Sequence, residues 1–216
     1  KRNHLYHHFK NVDIVVPKTI VLGTDIFDEF MESNDLYQIA LSDDLTDDEM
    51  LKNFLEAKLP TRIHEDLRTV TQLLNKPVAV RSSSLLEDSH YQPFAGIYNT
   101  YMIPLVKSNF KIMYKLLNEA IKSVYASAFF SDSKAYMKAT SNVIDEEKMA
   151  IVIQQVCGKA YGYRYYPTIS GVARSLNYYP IPPEKPEDGI VNLAMGLGKH
   201  IVDGGINDMA SRLTRN

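Results

Sequence analysis

The chain has 216 residues, a formal net charge of −2 and 45% apolar residues. That is enough apolar material for one large domain or two small lobes around a real core. Without a basic excess or a membrane-length apolar run, neither nucleic acid nor a bilayer is expected as a partner.

The opening KRNHLYHHFK is not followed by the apolar core and cleavage site of a secretory signal. His4, His7 and His8 cluster there without a second ligand group at a recognisable spacing, so they read as a solvated terminus. Asp13–Leu22 is apolar and β-branched and reads as a strand interrupted by Pro17. Gly23-Thr24 then starts a helix with Thr24 as N-cap, and Ile26, Phe27, Phe30 and Met31 recur at helical spacing. A second helix is expected over Asp43–Ala57, with Met50, Leu51, Phe54 and Leu55 inward. A third is expected over Thr61–Leu74, with Ile63, Leu67, Val70 and Leu74 on one face.

Val78–Arg81 reads as a short buried strand, and Tyr98–Ile103 as its partner. Asn109–Phe130 is a long amphipathic helix with Ile112, Leu116, Leu117, Ile121, Val124 and Tyr125 as its stripe, and Ser131–Lys138 continues helically. Lys148–Val156 is a strongly apolar strand. Gly162–Asn177 reads as two short strands and Gly189–Leu193 as another, with the proline-rich PIPPEKP, Pro180–Pro186, as a surface loop between them. Strands and helices mix without strict alternation, which predicts an α+β fold. The single cysteine, Cys157, excludes an intrachain disulfide and fits a reducing, cytoplasmic setting. Placed after an apolar strand, it is expected to be buried and unreactive.

The most informative stretch is PVAVRSSSLLEDSHYQPFAG, Pro77–Gly96. A short apolar strand ends at Arg81, three hydroxyls follow at Ser82, Ser83 and Ser84, and an acidic pair Glu87-Asp88 precedes a small-residue turn, Phe94-Ala95-Gly96. An arginine fork beside hydroxyl and backbone donors is suited to an anion, phosphate above all. The same residues also fit an ordinary strand whose arginine pairs with Glu87 or Asp88 and whose serines form a turn.

The string, in this order and spacing, resembles the signature of the ATP-binding domain of the phosphoenolpyruvate synthase and pyruvate phosphate dikinase family. The resemblance extends from IVVPKTIVLGTDIFDEFM to GLGKHIVDGG. It implies an ATP-grasp-like nucleotide-binding domain of two lobes, with residues 1–148 as the first part and 149–216 as the start of the second. It implies that Arg81 acts on the β- or γ-phosphate, and that Ser82, Ser83 and the Phe94, Ala95 and Gly96 turn cradle phosphate. It also implies that Gln154, Gln155 and Val156 form the hinge where adenine lies. Mg-ATP is then the ligand, with the magnesium ligands outside this chain. The phosphoryl group passes to a histidine on a separate domain, and a further domain phosphorylates pyruvate. The chain begins at Lys1 and ends at RLTRN, and is expected to be a truncated piece of a longer phosphotransferase, inactive alone.

Several positions depart from the family pattern. Ser175 and Asn177 follow the Ser170-Gly171-Val172 turn where a threonine and an acid are usual, and Lys199 replaces the glutamate after Gly196-Leu197-Gly198. Asp132 and Met137 stand where arginines are expected after Tyr125-Ala126-Ser127-Ala128-Phe129, with Lys134 and Lys138 nearby as partial substitutes. The upstream GGKG motif does not occur. These departures keep two alternatives open. One is a degenerate, non-catalytic nucleotide-binding or regulatory module, and the other is a related phosphotransferase with a different acceptor.

Overall fold

The computed structural model describes residues 11–84, 98–106, 109–139 and 148–198. Its centre is a four-stranded antiparallel sheet in the order β1–β4–β2–β3, formed by β1 (Thr19–Leu22), β2 (Val78–Ser84), β3 (Tyr101–Ile103) and β4 (Met149–Gln155). Period-two alternation gives each strand one face to the core and one away from it. Ile20, Leu22, Val78, Val80, Ile103, Met149, Ile151 and Ile153 turn to the core face. Val21, Arg81, Ser83, Met102 and Gln154 turn to the opposite face.

Six α-helices occur among the described residues, five of them following the sequence pattern. They are α1 (Thr24–Ser33), α2 (Leu36–Ala40), α3 (Asp47–Glu56), α4 (His64–Leu73), α5 (Phe110–Ser127) and α6 (Ser131–Ala139). Helix α5 packs on β2, β3 and β4, and α3 and α4 pack on α5. Ile26, Phe27, Phe30 and Met31 of α1 are all buried, as their spacing predicts. The described helices pack on one face of the sheet, and the fold is α+β.

Local chemistry corrects several element boundaries. Residues 13–18 form no ladder, and β1 begins only beyond Pro17, which lacks an N–H to donate. Thr24 is not the N-cap: the Gly23 carbonyl already accepts the Ile26 N–H at 3.2 Å, so Gly23 caps and Thr24 is the first helical residue. Helix α3 starts at Asp47 because Thr46 closes a capping box, its Oγ1 accepting the Glu49 N–H while the Glu49 carboxylate accepts the Thr46 N–H. Helix α2 was not predicted. On α5, Ile112 is exposed and Met113 takes its place in the core, because Asn109 Oδ1 accepts the Ile112 N–H and the helix is set from that cap.

The largest correction lies in β2. The three serines do not leave the strand; they extend it to Ser84, paired with Met149 of β4. β4 therefore lies between β1 and β2, an interior strand of the first sheet. The expected division between 148 and 149 falls at the first residue of this strand. Beyond it come two ribbons: β5 (Lys159–Tyr161) with β6 (Arg164–Tyr166), and β7 (Ile169–Arg174) with β8 (Ile190–Met195). Ser170-Gly171-Val172 is thus part of a strand rather than a turn. Among the described residues, no helix is long and apolar enough to cross a membrane.

An aromatic cluster fills the core between α1, α3 and α5. Tyr125 lies 5.1 Å from Phe27 and 5.4 Å from Phe30, centroid to centroid, and Phe54 lies 5.9 Å from Phe30. The Tyr125 hydroxyl is buried there with no hydrogen-bond partner among the described residues, and burial pushes its pKa up. An unpaired buried hydroxyl carries its full desolvation cost. Tyr125→Phe is therefore expected to raise unfolding stability by about 1–3 kcal/mol. Urea denaturation checks this, and an unchanged or lower midpoint contradicts it.

Candidate functional site

Arg81 is the fourth residue of β2, opposite Val152 of β4. It stands mid-strand on an interior strand, not at a strand end as expected, because the serine extension carries the ladder past it. It is exposed and has no hydrogen bond or ion pair among the described residues. Ser83 shares its face. Ser82 does not: alternation turns its side chain to the core, where it is buried and has its own interaction. The two serines thus stand on opposite faces of the sheet, and only the Ser83 hydroxyl is placed beside the guanidinium. Glu87, Asp88, Phe94, Ala95 and Gly96 lie outside the described residues.

The end of β4 is held by its own sheet. Gln154 Nε2 donates to Thr19 Oγ1 at 2.8 Å on the open face. Gln155 is buried, and its Nε2 donates to Asn75 Oδ1 at 3.1 Å. The backbone N–H of Gln155 goes to the Lys18 carbonyl at 2.9 Å, and that of Val156 to the Pro77 carbonyl at 2.8 Å. Neither N–H is left for a ligand.

A cavity of about 590 Å³ opens where this strand end meets the β5–β6 hairpin. Val156, Asn75, Met102, Leu105, Ala160 and Tyr165 are among its lining. The hairpin turns tightly at Gly162-Tyr163: Gly162 has φ +60° and Tyr163 an ordinary negative φ, the pattern of a type II′ turn. Gly158 lets the base of the hairpin close, since a Cβ there would sit 2.6 Å from the Tyr166 carbonyl oxygen. Ala160 and Tyr165 are paired across the hairpin and face the cavity. Tyr161 and Tyr166 stack on its other side, 4.5 Å apart.

Val156, expected at the adenine hinge, lines this cavity, and so do Asn75, Met102, Arg164 and Tyr165, which the sequence did not single out. The alternating tyrosines around Gly162 were the available signal for an aromatic hairpin. Nothing local marks Asn75 or Met102, which reach the cavity only through the sheet.

The profile of the pyruvate phosphate dikinase AMP/ATP-binding domain matches residues 1–215. The chain belongs to that family. It is also 29% identical, over 194 residues, to the uncharacterized phosphotransferase YvkC of Bacillus subtilis (strain 168). The match covers 88% of this chain and 20% of that protein, so the chain spans about a fifth of the length of this relative.

The dikinase-family departures acquire structural reasons. Met137 is buried in the core, so its position does not reach solvent in this packing. Lys134 Nζ donates to the Ser42 carbonyl at 2.5 Å, and Lys138 pairs with Asp43 at 3.0 Å, which ties both lysines to the segment before α3. Asn177 is buried, donates to Glu184 at 3.3 Å and accepts the Tyr179 N–H at 3.0 Å, so it organises the proline-rich loop. Lys199 lies outside the described residues.

Cys157 overturns its expectation. β4 ends at Gln155, and Cys157 falls in the connection to β5, where it is exposed. Exposure removes the barrier that a buried thiol presents to reagents. A thiol reagent is expected to label native Cys157 at a rate close to that in denaturant. Protection by several orders of magnitude in the native protein would contradict this.

Proposed function

We propose that this domain binds ATP along the open face of the β1–β4–β2–β3 sheet, with the base in the cavity at Val156 and the triphosphate toward Arg81. The observation that carries the reading is an exposed arginine, without a counter-ion among the described residues, on the same sheet as the cavity. Arg81 faces Val152, four residues before Val156, or about 13 Å along the strand. That is comparable to the reach of an extended nucleoside triphosphate. Ser83 adds a hydroxyl beside the guanidinium, and a guanidinium fork matches phosphate oxygens.

In the longer protein, the domain passes a phosphoryl group to a histidine on a separate domain. The histidine ring nitrogen forms an N–P bond as a P–O bond of ATP breaks, and the departing oxygen keeps the electron pair. The chain's own part is positioning and charge neutralisation, which are most of what phosphoryl transfer requires. Among the described residues, no group of three or more His, Cys, Asp or Glu could hold a metal ion, so no step is assigned to magnesium here. The two-lobe division, the Phe94–Gly96 cradle, the cytoplasmic setting and pyruvate as final acceptor belong to the same proposal. The 216-residue chain alone is then expected to make no phosphoenolpyruvate from ATP and pyruvate.

A second reading, a nucleotide-binding module without turnover, draws on the buried Met137 and the tethered Lys134 and Lys138. The test incubates the full-length protein with phosphate-labelled ATP. Acid-labile, base-stable label on a histidine supports transfer. ATP binding without such label supports the second reading. Folded protein that binds no ATP overturns both.

A further inference from the structure

We propose that Asn75 selects the base: its side-chain amide donates a hydrogen bond to N1 of adenine and thereby disfavours guanine. The inference rests on the ATP reading above and names the residue that would discriminate at that site. Asn75 lines the cavity, at the turn between α4 and β2, and is drawn against the β4 end by the Val156 N–H bonded to the Pro77 carbonyl. Its orientation is set from below. Gln155 is 7% exposed, and its Nε2 donates to Asn75 Oδ1 at 3.1 Å. With Oδ1 engaged by that donor, the free end of the amide is Nδ2, whose two hydrogens have no acceptor among the described residues.

The backbone of Gln155 and Val156 does not supply this donor. A strand end that bonds adenine usually has an N–H to offer its ring nitrogen, but here the N–H groups of Gln155 and Val156 are bonded to Lys18 and Pro77. The walls contributed by Met102, Pro104, Leu105 and Ala160 are apolar. Besides Asn75, the lining side chains with N–H or O–H donors are Arg164, Tyr163 and Tyr165, and Asn75 is the one held against the β4 end. Adenine N1 accepts a hydrogen bond, whereas guanine carries a proton at N1, so an amide N–H facing that edge matches the first base and opposes the second. A site that leaves a polar group unpaired against the wrong ligand discriminates more strongly than one that merely fits shape. Gln155 is then a positioning residue that acts through Asn75 without touching the base.

The experiment titrates the full-length protein with ATP, GTP and 1-deaza-ATP, in which a C–H replaces adenine N1. The unaltered protein is expected to prefer ATP to GTP and to lose about fivefold to tenfold in affinity for 1-deaza-ATP, the effect of one hydrogen bond. Asn75→Leu is expected to lose the same factor for ATP, lose nothing further for 1-deaza-ATP, and leave affinity for inorganic tripolyphosphate unchanged. Gln155→Met should shift the ATP-to-GTP ratio in the same direction, also without changing tripolyphosphate affinity. Asn75→Leu leaves Gln155 Nε2 without that acceptor, so a thermal melt accompanies its titration, and the 1-deaza-ATP arm needs no variant. If ATP binds but 1-deaza-ATP binds equally well, or Asn75→Leu keeps the ATP-to-GTP ratio, the role of Asn75 is overturned while the ATP site stands. If the folded protein binds no ATP, the reading beneath it falls and takes this inference with it.

Discussion

Arg81→Ala is expected to weaken ATP binding by about tenfold to a hundredfold while leaving the melting temperature nearly unchanged. A hydrogen bond to a charged partner contributes about 1.5–3 kcal/mol, which converts to that range of affinity. The small effect on stability follows from placement. Arg81 is exposed on the face of β2 away from the described helices, and no acid among the described residues pairs with it. A truly buried ion pair would behave oppositely: stranding its partner would cost roughly 3–5 kcal/mol of stability. One variant of the full-length protein, followed by thermal melts and ATP titration, separates the two cases. A much lower melting temperature with unaltered ATP affinity in the folded fraction would reject the phosphate role. Arg81→Lys should recover only part of the affinity, because a lysine keeps the charge but loses the planar fork.

Phe30→Ala is expected to destabilise the domain by about 3–5 kcal/mol, a large share of the 5–15 kcal/mol that usually holds a domain together. Phe30 is fully buried, with Phe54 at 5.9 Å and Tyr125 at 5.4 Å on its flanks. Alanine would leave a cavity bounded by rings from α1, α3 and α5, and three helices cannot all move inward to fill it. Urea denaturation of the variant measures the loss. A change below about 1 kcal/mol would mean that the cluster repacks freely.

These two residues differ in how plainly the chain announces them. Phe30 belongs to a helical repeat with Ile26, Phe27 and Met31, and the repeat alone places it inside. Arg81 is announced by its signature, yet its position in the strand was misread. Serines normally punctuate strands, and here three consecutive ones stay in the ladder because β4 runs alongside as far as Met149. Pairing over seven residues outweighs the modest turn preference of each serine. The same alternation then decides which hydroxyls can meet a ligand, and puts Ser82 and Ser83 on opposite faces. Cys157 shows the same limit, since an apolar run does not say at which residue its strand stops.

Five of the six described helices, the apolar strands, the α+β class and the family signature were determined by the amino-acid sequence alone, because they depend on periodicity, caps and residue order over short distances. Tertiary structure decided what depends on residues far apart in the chain. Pairing across the sheet put β4 between β1 and β2 and turned Arg81 to the face away from the described helices. It also spent the N–H groups of Gln155 and Val156 on Lys18 and Pro77, and brought Asn75, Met102 and Tyr165 around one cavity. No local propensity encodes such meetings. They arise because each strand must satisfy its backbone hydrogen bonds with a neighbour, and the choice of neighbour fixes what stands beside what.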